Sequence, residues 1–410
     1  MFTEIAARRG VLAHRNLRLL LAARTASMLG TAAAGVAIPF AVLETGGAVS
    51  EVGVVLAAFW VPQLALLLVG GVFADRMPRQ RVMVLADLAA AAAQGTAAVL
   101  LLTDTLTIPA LVALQVVGGA ASAFFYPAST ALVPQTVPPG ELRPANALLR
   151  GAVHGASVAG AGLGGVLAAV SVGGALAVDA ATFAVSAGCC ALIAVGAAGE
   201  AERGRTLLAE LRAGWTEFAR RRWVWVVVLQ FSAVNACSLG ALLVLGPVQA
   251  DRFLGGASAW GLVMACFSAG LLIGAAISFR LRPSRPLVLA ELSVLFSAIP
   301  AALLIGPAPL PVLAAGVLAA GVSVEVFEVQ WTVALQQHIP PHALARVSSF
   351  DALGSFAAIP LGLAAAGPLA DLLGMRSALI AAGSIIALSA VAALAVRDVR
   401  DLPATDDPRP

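Results

Sequence analysis

Two stretches, QTVPPGELRPANALLRGAVHGASVAGAGLGGVLA (residues 135–168) and QHIPPHALARVSSFDALGSFAAIPLGLAAAGPLA (residues 337–370), decide the fold. They align without a gap at an offset of 202, and nine of the 34 pairs are identical. The identities include Gln135/Gln337, Pro138/Pro340, Pro139/Pro341, Leu142/Leu344, Gly160/Gly362 and Gly165/Gly367. Ala and Gly matches carry little weight in a chain so rich in small residues. The shared Gln-x-x-Pro-Pro-x-x-Leu is the specific part, and an apolar run follows it both times. A unit repeated 202 residues apart in a chain of 410 means that the chain is built from two related halves.

Composition says what each half is made of. The chain is 60% hydrophobic and 11% charged, with a mean hydropathy of +0.94. A soluble globular chain carries about 45–50% apolar and about 25% charged residues, so this one lacks the charge to cover a water-facing surface. A spanning helix takes about 20 apolar residues, which with short loops allows on the order of twelve spans. A soluble enzyme, a disordered chain and a secreted disulfide scaffold are excluded. A transmembrane β-barrel is not expected, because the apolar runs are continuous and do not alternate with period two.

Twelve spans are expected, near 17–43, 51–73, 82–102, 109–134, 145–171, 173–197, 223–249, 257–280, 287–306, 309–336, 345–370 and 376–396. The Gln-x-x-Pro-Pro-x-x-Leu segment then falls between the fourth and fifth spans of each half. All 25 basic residues are Arg, against 22 acidic ones. With the N-terminus inside, every Arg except Arg252 and Arg376 lies on or beside the cytoplasmic face, as the positive-inside rule requires. Both termini are therefore expected in the cytoplasm, and the protein in the plasma membrane. Met1–Arg18 lacks the small-residue cleavage site of a signal peptide. Cys189, Cys190, Cys237 and Cys266 sit inside apolar runs, at none of the spacings of a zinc site, and read as reduced packing residues. No metal, cofactor or nucleic acid is expected.

The longest polar break runs from Gly199 to Arg222, midway along the chain. Leu207, Leu211, Trp215 and Phe218 recur there at helical spacing, which predicts an amphipathic helix on the membrane surface. Its expected role is that of a plain connector that keeps the halves tethered. The expected organisation is a six-helix bundle over 1–198, a cytoplasmic linker over 199–222, a second bundle over 223–397 and a cytoplasmic tail over 398–410.

The break after the second span reads Gly70-Gly71-Val72-Phe73-Ala74-Asp75-Arg76-Met77-Pro78-Arg79-Gln80-Arg81. It resembles the loop signature of the major facilitator superfamily. AIPFAVLETGG (37–47), FFYPASTALVPQTVPPGEL (124–142), VDAATFAVSA (178–187) and ALQQHIPPHALARVSSFDALGSFAAIPLG (334–362) resemble the macrolide-efflux-like branch of its drug exporters. The resemblance implies an all-α membrane protein, with twelve transmembrane helices in two pseudo-symmetric six-helix bundles around a central cavity. It also implies a monomer. Gly71 would let two spans approach closely, and Asp75 would sit against an opposing helix N-terminus, whose dipole favours an anion. By resemblance that contact bridges the halves and forms a cytoplasmic gate, with Arg76, Arg79 and Arg81 adding ion pairs or headgroup anchors. The second-half loop, Arg280–Arg285, has basic charge and no Asp, so the gate is asymmetric.

Two signatures of proton-coupled exporters are altered. Span four lacks their Arg, reading Leu111–Gly119 without one. Span five keeps Gly160, Gly164 and Gly165 of a Gly-Pro-x-x-Gly-Gly pattern and has Ala161 in place of the Pro. Close helix packing alone would account for these glycines.

A charge at the bilayer centre costs about 2.5–3.5 kcal/mol on insertion scales, so each intramembrane charge needs a reason. Asp87, Asp179 and Glu291 lie near span ends, where snorkelling or local pairing suffices. Arg24 and Asp351 lie about two turns inside spans one and eleven, helices that the resemblance places beside the cavity. Span ten is the most informative. Gly321, Glu325, Glu328, Thr332 and Gln336 advance by four, three, four and four, drawing one polar stripe along a helix flanked by Trp331. Such a stripe faces protein or a water-filled cavity rather than lipid. Its carboxylates could exchange a proton, bind a cationic substrate, or form a structural pair with Arg. Phe124, Phe125 and Tyr126 are candidate cavity-lining residues for a hydrophobic substrate, with helix packing as the alternative. His154 reads as a packing residue.

The leading expectation is a secondary-active exporter of amphiphilic small molecules, with protons as the coupling partner. A proton-coupled nutrient importer on the same fold, and a non-transporting membrane sensor or assembly factor, are the competing readings. No nucleophile–base set supports an enzyme. No Gly-x-x-x-x-Gly-Lys-Ser/Thr loop supports ATP-driven transport by this chain.

Overall fold

The computed structural model describes residues 11–194, 215–306 and 308–404, with backbone alone over 67–76 and at 341, 342 and 345. Among them are twelve helices long and apolar enough to cross a membrane. In the first half these are Arg15–Glu44, Val49–Leu66, Arg79–Leu102, Ile108–Gln135, Pro139–Val170 and Val172–Ala191. In the second half they are Arg222–Phe253, Ala257–Ser278, Pro286–Leu304, Leu310–His338, Arg346–Leu373 and Met375–Ala395. They are numbered span one to span twelve. The protein is an all-helical multi-pass membrane protein, as its hydropathy requires.

The chain forms two compact units. One holds Met1–Ala201 with Ala250–Ala265, the other Glu202–Gln249 with Cys266–Pro410. The first residues of span eight thus pack with the first unit.

Lipid is as apolar as leucine, so the helices of each unit are held by close backbone approach and by polar pairs rather than by hydrophobic burial. In the first unit a Cβ on Gly119 of span four would collide with the Phe59 carbonyl oxygen of span two. One on Gly160 of span five would strike the Leu29 carbonyl of span one. Gly165 meets span eight, where an added Cβ would lie 2.6 Å from the Gly261 Cα. Spans three and six are joined by two polar rungs, Ser186 Oγ donating to Asp87 at 2.6 Å and Gln94 Nε2 donating to Asp179 at 2.8 Å.

The second unit repeats these crossings. Gly321, 202 residues after Gly119, presses span ten against the Phe267 carbonyl of span eight. Gly362, 202 residues after Gly160, presses span eleven against Ala236 of span seven. The repeat therefore extends to the helix crossings, where only glycine leaves room for a neighbouring backbone.

The second unit departs from the first in helix continuity. Spans one and five are unbroken over Arg15–Glu44 and Leu142–Val170. Span seven instead passes into π geometry over Gly240–Leu245, and span nine carries a 3-10 turn over Leu295–Ala298. Span eleven breaks at Ala358, between the helices Pro341–Ala357 and Ile359–Leu373. Pro360 explains the last, since it offers no N–H to the carbonyl one turn before it.

Candidate functional site

The site grows from span ten. Its buried side carries Phe327 and Trp331, and Phe327 stacks on Phe231 of span seven with ring centroids 4.3 Å apart. The polar stripe runs down another face, with Gly321 buried, Glu325 half-buried and Glu328, Thr332 and Gln336 exposed. Glu325 sits against span eight, where a Cβ on Gly274 would lie 2.8 Å from its own.

Glu328 borders a cleft of about 80 Å³ between spans seven, ten and eleven, all within the second unit. Span seven contributes Val227, Val228 and Phe231, and span eleven contributes Asp351 and Ser355. Asp351 is held on both oxygens. Trp331 Nε1 donates to Oδ2 at 3.0 Å, and Ser355 Oγ donates to Oδ1 at 3.2 Å. An amide reaches the same place from span seven, Asn235 Nδ2 donating to the Ser355 carbonyl at 3.0 Å. A cleft of this volume holds a few water molecules, whereas a drug-sized ligand needs about 300–1,000 Å³. It can therefore take water, a proton or one polar end of a ligand.

The structure brings together Glu328, Trp331 and Asp351, three of the residues singled out by sequence. Thr332 and Gln336 continue the exposed stripe below them. Arg24 is half-buried in the first unit, within electrostatic reach of Tyr126 and Arg150. Tyr126 is exposed, while Phe124 and Phe125 pack against the first unit's core. Arg79 donates to the Ala131 carbonyl at 2.6 Å, placing a cation on the C-terminal turn of span four, where the helix dipole favours it. Arg81 is exposed. The side chains of Gly71, Asp75 and Arg76 lie outside the described residues. So do Leu207 and Leu211 of the linker. The described end of the linker, Trp215 and Phe218, packs its rings on Phe350 of span eleven, with centroids 5.7 and 6.0 Å apart.

The three acids assigned to span ends separate into two kinds. Asp87 and Asp179 are buried and hydrogen-bonded by Ser186 and Gln94, Asp179 through Oδ2 alone among the described residues, so each has a local partner. Glu291 is fully buried and does not snorkel, and neither carboxyl oxygen has a hydrogen-bond partner among the described residues. Asn235 and Ser355 were not marked by sequence. Asn235 has its partner on another span, whereas Ser355 lies one helical turn after Asp351 on the same span, a spacing that could have found it.

Twelve spans in two repeated units, with a hydrogen-bonded acid set into the face of one, define a membrane transporter rather than an enzyme. The chain belongs to the major facilitator superfamily, whose sequence model matches residues 20–362. It is 26% identical over 413 residues to the multidrug efflux pump Tap of Mycolicibacterium fortuitum, covering 96% of this chain and 98% of that protein. Among solved structures it resembles a bacterial homologue of the human lysosomal transporter Spinster in an inward-facing, unoccupied conformation. That likeness has a TM-score of 0.72 at 16% identity, over 98% of this chain and 99% of that one. It also resembles the nucleoside transporter NupG, with a TM-score of 0.72 at 13% identity, over 92% of this chain and 98% of that one. At such identities the two structures speak for the fold alone.

Proposed function

We propose that the protein exports amphiphilic small molecules in exchange for protons, by alternating access across the cytoplasmic membrane, with both termini inside. The observation that carries this reading is the Asp351 cleft. An acid with both oxygens hydrogen-bonded stands beside a second acid, Glu328, at the edge of an exposed polar stripe. A proton on Asp351 or Glu328 and the polar end of a substrate compete for the same small space. Binding one releases the other, which is the elementary requirement of antiport. The apolar body of the substrate leaves the cleft past Phe356, one of its lining residues, and lies along the stripe toward Thr332 and Gln336. Glu325 extends the proton path toward span eight.

The similarity to an efflux pump supports outward transport. One proton entering down about 100 mV supplies about 2.3 kcal/mol, enough for a substrate gradient of roughly 50-fold. In this reading the chain works as two bundles, 1–198 and 223–397, joined by the 199–222 linker, with the 398–410 tail in the cytoplasm. Gly71, Asp75 and Arg76 form the cytoplasmic gate, and the working unit is a monomer.

The test is ethidium efflux, within a wider compound panel, from a pump-deficient host with and without a protonophore. Asp351→Asn and Glu328→Gln should each lower driven efflux at least tenfold while membrane levels of the protein stay unchanged. Efflux that survives collapse of the gradient would overturn proton coupling. Full activity in both variants would overturn the site.

A further inference from the structure

The break in span eleven lies about two turns from the acid of the cleft. A helix broken inside a bilayer strands backbone carbonyls, and each costs several kcal/mol unless another group satisfies it. The Ser355 carbonyl is satisfied from outside its own helix, by Asn235 Nδ2 of span seven at 3.0 Å. The hydroxyl of the same Ser355 donates to Asp351 Oδ1, and Trp331 donates to Oδ2. Asn235, Ser355, Asp351 and Trp331 thus form one connected chain across spans seven, eleven and ten. Asn235 also lies five residues before Gly240, where span seven enters its π segment. A Cβ on Gly240 would lie 3.0 Å from the Gly362 carbonyl, just beyond the break. The irregular parts of the two helices face each other, and π segments recur at functional sites.

We propose that Asn235 is a positioning residue that ties the break in span eleven to Asp351, so that loading a proton on Asp351 loosens the break and removing it tightens the break. The proposal rests on the reading of Asp351 as a proton carrier. Ionised, the carboxylate accepts from both Trp331 and Ser355. When water in the cleft delivers a proton to Oδ1, one O–H bond forms and that oxygen becomes a donor. The Ser355 hydroxyl must then turn from donor to acceptor, and the repositioned Ser355 draws its carbonyl off Asn235 Nδ2, which loosens the break. Release of the proton to water restores the pair.

Among the described residues, span ten brings Glu328 into the cleft and span seven brings Val227, Val228 and Phe231. On span eleven itself the neighbouring charge is Arg346. The linker end packed on Phe350 carries Glu217, whose carboxylate lies 2.7 Å from Arg221. Glu328 is the titratable group that shares the cleft, so its variant belongs in the test.

The experiment is hydrogen–deuterium exchange of the full chain in lipid nanodiscs, read at residues 358–362 at acidic and alkaline pH and corrected for intrinsic exchange. In the wild type these amides should exchange about five- to tenfold faster at acidic pH, the effect of losing one neutral hydrogen bond. Asn235→Leu should abolish the pH response, and Asn235→Gln should restore it. Asn235→Ser, too short to reach the carbonyl, repeats the test should the Leu variant fail to fold. A folded Asn235→Leu or Asn235→Ser variant with the wild-type response overturns the positioning role, as does a wild type with no response. A response that persists in Asp351→Asn and vanishes in Glu328→Gln overturns Asp351 as the carrier, a failure distinct from that of Asn235.

Discussion

Gly119 and Gly321, 202 residues apart, each press a helix against the carbonyl of a phenylalanine on a neighbouring span. Adding a methyl group to either forces the helices apart, because the obstacle is backbone. At Gly119 the new Cβ would also stand 2.8 Å from the Phe59 carbonyl carbon and 3.0 Å from Pro62 Cγ. At Gly321 it would stand 3.1 Å from the Phe267 carbonyl carbon and 3.2 Å from the Gly270 Cα. Overpacking of this kind costs about 1–3 kcal/mol, and a rigid backbone obstacle places both sites at the upper end. Ala recovers about 0.8–1.0 kcal/mol of helix propensity over Gly, leaving a net loss of about 2 kcal/mol. For a unit of about 200 residues that unfolds cooperatively, Gly119→Ala and Gly321→Ala should each lower the unfolding midpoint by about 4–8 °C. Gly155 has nothing within 4 Å of its added Cβ, so Gly155→Ala should leave the midpoint unchanged or raise it. The assay is thermal unfolding of the purified protein in mild detergent, followed by tryptophan fluorescence. Equal midpoints for Gly119→Ala, Gly321→Ala and Gly155→Ala would refute the close-crossing argument in both units.

Trp331→Phe keeps a ring in the cleft wall and removes the N–H that Asp351 accepts, so proton-driven transport in proteoliposomes should fall about tenfold. An unchanged rate would separate Trp331 from the proton site. Ser186→Ala strips the buried Asp87 of its donor and should destabilise by about 1–3 kcal/mol. Asp87→Leu combined with Ser186→Ala should cost less than Ser186→Ala alone, since no unpaired acid is left behind, and the opposite order in chemical denaturation would refute the pairing. Arg79→Gln removes the cation that holds the last turn of span four and should cost about 1–2 kcal/mol in the same measurement.

Local properties of the sequence carried most of the architecture. Hydropathy adds up residue by residue, and a bilayer tolerates no unsatisfied backbone, so the count of spans and their ends could be read within a few residues. The alignment of 135–168 with 337–370 showed that the chain is doubled, and the helical spacing of Glu325, Glu328, Thr332 and Gln336 drew the stripe that the structure displays on one face. The breaks in spans seven and eleven left no such trace. An apolar run stays apolar whether its backbone is α or π, and Pro360 by itself does not distinguish a kink from a break.

What only the tertiary structure decided is which polar groups meet. Asp351 was one of several intramembrane charges until span ten delivered the Trp331 N–H to it, whereas Ser355, four residues on along the same helix, reaches it locally. Asn235 carried no signal at all, because its partner lies 120 residues away on another helix. Glu291, placed by sequence among the snorkelling acids, is sealed from the surface by the packing of its neighbours. Periodicity fixes the face on which a side chain lies. The crossing of two helices fixes what it touches, and that depends on small residues far apart in the chain arriving at the same depth.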